Sequence, residues 1–209
     1  MATPVADDLL MICWDAEKGA PAGWTGMSLP YALAGALIVD AINSGAAEVD
    51  DERVAATGSD PGDPLLESVL ERVNKPRRPP KMSDLVGSVA WESPVDSVRD
   101  RLVERQILTE ESDKILGLLP RRRHTPRDRS SFEAVGERTR NLLLGAVDPE
   151  QVPDHEVLAA VLTEPAGAVD VLFDDRAERK AAKQRLRNSA MTHRWLPRSA
   201  TQLRMPRWR

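Results

Sequence analysis

Three groups of side chains in this chain have types and spacings suited to holding a ligand. In the last stretch, Trp195, Leu196, Leu203, Met205 and Trp208 alternate with Arg194, Arg198, Arg204, Arg207 and Arg209. Each cation near an anionic bilayer contributes on the order of 1 kcal/mol, and Trp settles at the headgroup level. Arg194, Trp195, Arg198, Arg204, Arg207 and Trp208 are therefore candidate membrane contacts. The same pattern would suit single-stranded nucleic acid, or a disordered tail that only solubilises. The second group is Arg121, Arg122 and Arg123, with Arg127 and Arg129 close behind. It reads either as an anion site or as a solvated loop offsetting acidic charge elsewhere. The third is Trp24, followed by Thr25 and Ser28 at the head of an apolar run. Ser28 is placed to cap a helix whose first N–H groups would favour a phosphate. The alternative is a plain buried Trp.

Covalent chemistry finds no comparable support. The histidines are His124 in an arginine-rich stretch, His155 beside a helix start and His193 near the end; no two share a metal-binding spacing. The clustered acids (Asp50, Asp51, Glu52; Glu110, Glu111, Asp113) fall in predicted turns, where solvation explains them better than acid–base work. Cys13, the single cysteine, sits in the apolar run Leu9 to Trp14 and reads as a small buried hydrophobe. The short GWTG at Gly23 follows no convincing strand and is no phosphate loop. The expectation is a non-enzymatic protein with no catalytic residue, no metal and no cofactor.

The elements that must position these groups belong to an ordinary globular chain of 209 residues, 41% hydrophobic and 30% charged. Aromatics are few, and Trp supplies 5 of the 8. The formal charge of −4 conceals an asymmetry: residues 176–209 hold 11 Arg and Lys against Glu178 alone, leaving the first 175 residues at −14. The opening MATPVADDLL lacks the basic region of a secretory signal. The charge-free span from Gly19 to Val39 is broken by prolines and glycines, so no transmembrane helix is expected. Both points favour the cytoplasm.

The most apolar helical run is Tyr31 to Ile42, apolar nearly all round, which predicts a helix buried on most sides. Asn43, Ser44 and Gly45 stop it, with Gly45 suited to the left-handed conformation. The segment from Ala46 to Ala56 then predicts a small β-hairpin about an acidic turn. Leu9 to Trp14 is a strand or a short helix. Asp63 and Pro64 start an amphipathic helix, after which KPRRPPK is an extended basic linker. Helices are predicted over Ser83 to Trp91 and Asp96 to Arg105, then a second hairpin from Ile107 to Leu119 with its turn at Thr109–Asp113. A basic loop runs from Pro120 to Ser131. Ser131 is expected to cap a helix over Phe132 to Leu144, Asp154 one over Glu156 to Leu162, and a polar helix spans Arg176 to Asn188. The fold class is mainly α, a buried central helix ringed by amphipathic helices with one or two small hairpins. The domain is expected over 1–187, with 188–209 a basic flexible tail.

The blocks DDLLMICWDAEKG, LPYALAGALIVDAINSGAAEVD, TGSDPGDPLLESVLERV and VRDRLVERQILTEESDKILGLLPRRRHTP resemble, in order and spacing, the bacterial branch of the Golgi phosphoprotein 3 family. The resemblance spans roughly residues 6–190. It implies a mostly helical fold and a peripheral membrane protein that binds phosphatidylinositol 4-phosphate. It further implies protein clients and self-association through the second hairpin. The lipid-pocket positions of the eukaryotic pattern fall here on Thr25, Ala34, Glu92 and Val95, none of them cationic. Trp24, Arg99 and Arg101 are the neighbouring candidates.

Together these readings favour a peripheral membrane adaptor for anionic or phosphoinositide-like lipid, with protein clients and a homo-oligomeric hairpin contact. The alternatives are a nucleic-acid regulator, since helix plus hairpin twice also resembles a winged helix, and a protein–protein scaffold without lipid binding.

Overall fold

The computed structural model describes residues 3–115 and 119–188, apart from the side chains at positions 24, 112–115 and 119–121. The chain order is α1 (Val5–Ile12), β1 (Trp14–Asp15), β2 (Ala20–Pro21), a 3-10 turn (Gly23–Gly26), α2 (Leu29–Asn43), β3 (Ala47–Asp50), β4 (Arg53–Ala56) and α3 (Pro64–Asn74). It continues through α4 (Met82–Ala90), α5 (Pro94–Glu104), β5 (Leu108–Ile115), β6 (Leu119–Pro126), α6 (Arg129–Leu144), α7 (Asp154–Leu162), α8 (Val169–Leu172) and α9 (Arg176–Arg187). The strands form three two-stranded antiparallel sheets. The fold is mainly α with small hairpins, as the hydrophobic periodicity predicts.

Helix α2 is the centre. Its buried positions include Leu33, Ala34, Ala36, Leu37, Ile38 and Val39, which between them point in every direction around the axis. Helices α1, α3, α4, α5 and α7 all pack on it. A second, smaller core joins Leu142 and Leu143 of α6 to Val157 and Ala160 of α7, with Phe173, Ala182 and Leu186 closing it.

Hairpins β3–β4 and β5–β6 leave their helices through the same motif. At the end of α2, Gly45 N–H donates to Ile42 O and Ala46 N–H to Ala41 O. At the end of α5, Gln106 N–H donates to Val103 O and Ile107 N–H to Leu102 O. These paired bonds require a left-handed residue, Gly45 at φ 77° and Gln106 at φ 58°. The repeated order of helix and hairpin is thus also a repeated backbone device.

Of the two readings of Leu9 to Trp14, the helical one holds for Leu9 to Ile12, and only Trp14–Asp15 form a strand. Other local expectations are corrected. Ser28 does not cap α2; its hydroxyl donates to Ala166 O at 3.0 Å and ties α2 to the α7–α8 connection. Asp128, not Ser131, caps α6 by accepting from Ser130 N–H, and Asp154 is the first residue of α7. The second hairpin is longer than predicted. The acids at Glu110 and Glu111 lie in β5 and the basic stretch forms β6, with Glu110 opposite His124 and Glu111 opposite Arg123. Charge pairing across the ladder replaces the apolar alternation that marks a strand in sequence.

Truncating Leu37, which is 1% exposed at the centre of α2, is expected to destabilise the fold by about 2–5 kcal/mol. Urea denaturation of Leu37→Ala measures it; a loss well under 1 kcal/mol would place the core elsewhere.

Candidate functional site

The polar structure begins with an uncapped helix. Pro4 precedes α1 and offers no side-chain acceptor. Helix α2 supplies one: Asp40 Oδ1 accepts from Val5 N–H at 2.7 Å and Oδ2 from Ala6 N–H at 3.1 Å. A carboxylate at a helix N-terminus also meets the favourable end of the helix dipole. One turn on, the fully buried Asp7 accepts from Arg101 Nε and Nη2 at 2.9 and 2.6 Å, and from Arg105 Nη1 at 2.7 Å. Arg101 Nη1 reaches Asp63 Oδ2 at 3.0 Å, while Asp63 Oδ1 caps α3 through Leu65 N–H. One ionic tie therefore fastens α1, α2, α3 and α5.

Asp8 faces α7 instead. Its Oδ2 lies 3.6 Å from His155 Nε2, beside the Arg138–Glu156 pair. Burial, then repulsion from Glu156 and Asp7, pushes the Asp8 carboxyl up to about 7. Burial likewise raises Asp40 to about 6 against the pull of its two N–H donors. It raises Asp7 as well, against Arg101 and Arg105.

Among the described side chains, the ligand candidates do not converge. Arg101 is inside the tie, 7% exposed. Arg99, two residues earlier on α5, is held by Asp96 and Asp100 at the surface. On β6, Arg122 faces Glu110 at 3.4 Å, and Arg123 donates to the Glu17 carbonyl while its Nε is buried without a partner. Arg121 stands opposite Asp113 in the same ladder. His124 is buried behind them; burial first, then nearby Arg99, holds its imidazole below the usual range. Its backbone carbonyl accepts from Trp14 Nε1 at 3.1 Å, and the β1–β2 turn lies so close that a Cβ on Gly19 would meet His124 N at 3.0 Å. Trp24 lies in the 3-10 turn ahead of α2. Of the pocket positions suggested by the resemblance, Thr25 and Ala34 are buried and Glu92 is paired with Arg72. The tail candidates Arg194, Trp195, Arg198, Arg204, Arg207 and Trp208 lie outside the described residues.

Among the described residues, two large apolar side chains stand out furthest into water: Trp91, 85% exposed where α4 ends, and Met27, 90% exposed just before α2. Both are at helix ends. Leu29 opens α2 eleven residues before Asp40, roughly 16 Å along the axis. Trp91 adjoins Glu92, which pairs with Arg72 near the C-terminus of α3, remote from Asp63 at its start. These ends of α2 and α3 are the ones turned away from the tie. Sequence pattern places Trp91 on α4 but carries no signal of its exposure.

Among the described residues, no group of His, Cys, Asp and Glu is arranged to hold a metal. No helix among them is long and apolar enough to cross a membrane. Cys13 is fully buried, its thiol pushed up to about 12, which leaves it protonated and inert. The geometry defines a helical body whose buried charges are spent on structure. Residues 5–205 match the family model described as Golgi phosphoprotein 3 (GPP34), and the chain belongs to that family. A search of curated proteins found no match.

Removing Arg101 leaves Asp7 buried without its main partner, so Arg101→Ala is expected to cost about 3–5 kcal/mol in chemical denaturation. A neutral result would remove the tie as a structural element. Asp8 binds its proton more firmly in the folded chain than in the unfolded one, where the carboxyl returns to about 3.9. Stability is therefore gained as pH falls below about 7 and lost as it rises through that value. Asp40 acts in the same sense around 6. His124, with its pKa lowered, opposes both below about 6.5. Asp8→Asn is expected to raise the melting temperature in mildly alkaline buffer and to flatten its rise on acidification; an unaltered pH profile would contradict this.

Proposed function

We propose that this chain is a non-enzymatic peripheral membrane adaptor that binds anionic lipid headgroups of the phosphatidylinositol 4-phosphate type from the cytoplasmic side. The observation that carries the reading is the exposed Trp91, with Met27, where the other large apolar side chains among the described residues are mostly buried or half-buried. Trp and its polar-tipped ring favour the bilayer interface. Membership of the Golgi phosphoprotein 3 family supports the same reading, and the bias of 23 Arg to 6 Lys suits its bacterial branch. Protein clients and self-association belong to this proposal. The β5–β6 pair is bonded to no third strand among the described residues; the β1–β2 turn and Trp14 meet the β6 edge at His124, so β5 is the edge offered to a second copy.

The nucleic-acid reading is less well supported. A winged helix needs an exposed cationic recognition helix, whereas α2 is buried and Arg99 and Arg101 of α5 are held by carboxylates.

Co-sedimentation with vesicles tests the proposal. Recovery is expected on anionic vesicles and not on neutral ones, and deletion of 188–209 is expected to weaken it. Equal recovery on both kinds of vesicle would reject lipid recognition by charge.

A further inference from the structure

Residues 72–81, RVNKPRRPPK, contain Arg72, Lys75, Arg77, Arg78 and Lys81 and no acid. Pro76, Pro79 and Pro80 each fix their own φ, but the segment is not the extended linker that the sequence suggests: Lys75 keeps a right-handed helical conformation and residues 75–78 form a bend. Both of its ends are fixed. It leaves α3 at the buried Val73, and it docks on the first hairpin where Pro80 O accepts from Val54 N–H at 3.0 Å and Met82 N–H donates to Glu52 O at 2.8 Å. The Arg53 guanidinium also donates to Pro79 O, and the backbones of Lys81 and Arg53 form an isolated antiparallel β-bridge. The segment is a strap held against β4, not a loose connection.

Lys75, Arg77, Arg78 and Lys81 are all exposed. Among the described residues, no carboxylate comes within ion-pair range of any of them, whereas Arg99, Arg122, Arg138 and Arg187 each hold one. The strap is therefore a concentration of unneutralised positive charge on a body that is acidic outside its C-terminal segment. Its α3 end lies toward the exposed indole, while Lys81 at its other end opens α4, about 15 Å along the axis from Trp91. Arg72 pairs with Glu92, next to Trp91, and Lys75 follows one helical turn after Arg72 on the same side of α3. Cations beside one amphipathic ring match a flat anionic bilayer. A nucleic-acid strand would call for a row of stacking rings.

We propose that the strap 75–81, together with Trp91, is a membrane-docking face for anionic lipid that acts independently of the basic C-terminal stretch. This rests on the lipid-binding reading above and locates it on the folded body. The preset backbone means that little conformational freedom is lost on contact.

The test uses the full chain and vesicles of phosphatidylcholine with and without phosphatidylserine. The variant K75Q/R77Q/R78Q/K81Q is expected to bind the phosphatidylserine vesicles about tenfold more weakly or worse, with an unchanged thermal melt because the four side chains are exposed. In wild type, brominated lipid is expected to quench Trp emission, and Trp91→Phe to lose part of that quenching. A chain lacking 188–209 is expected to keep a phosphatidylserine-dependent fraction of binding. If wild type ignores phosphatidylserine, the lipid-binding reading fails and takes this inference with it. If wild type responds but the fourfold variant binds equally well, or Trp91→Phe is quenched like wild type, the strap alone is overturned.

Discussion

The structure depends on a carboxylate placed where it would ordinarily be too costly. Asp40 interrupts a helix that is apolar on every side, and a buried carboxylate without partners would be pushed toward neutrality. It is tolerated because α1 arrives with two N–H groups that nothing else satisfies. That contact sets the position of α1, which brings Asp7 beside Arg101 and Asp63, and with them α5 and α3. Buried pairs of this kind add little net stability compared with an apolar alternative, but breaking one is expensive. Their effect here is to fix which helix ends meet.

The tie also divides the arginines. Two residues on an α-helix are about 200° apart around the axis, so Arg101 turns inward while Arg99 faces solvent. On β6, the ladder places acids opposite bases, and the local charge is largely internal to the hairpin. Cations with carboxylates already in place are poor hosts for an incoming headgroup, which must first displace a tethered competitor. Of those without one among the described residues, Lys75, Arg77, Arg78 and Lys81 gather on the strap between α3 and α4, whose α3 end lies toward an exposed Trp, while Arg176 and Lys180 stand on α9. Binding capacity on this body follows from which charges the fold leaves uncommitted, not from where the sequence has most arginine.

Much of the architecture is legible in the sequence because it rests on local signals. The all-round apolarity of Tyr31 to Ile42, the Gly45 stop, and Asp63 with Pro64 ahead of an apolar stripe each specify their element within a few residues. A second hairpin is legible after α5, but its full extent was hidden for a physical reason: its strands place acids opposite bases along the ladder, which leaves no alternation of apolar and polar residues. Ser28 has the sequence position of a cap, yet its hydroxyl finds a carbonyl 138 residues away. The site was harder still. KPRRPPK is visible as a basic, proline-rich run, but its anchoring on the hairpin and the exposure of Trp91 are tertiary facts. Asp40, the one charge in the apolar helix, is the single sequence mark of the tie.

Hydrogen–deuterium exchange of the full chain, with and without phosphatidylserine vesicles, compares the two sets of charges in one experiment. The account predicts added protection in peptides covering 72–82 and 91–93, and none at α1 or around Arg101. Protection confined to β6 and α5, with the strap unchanged, would contradict it.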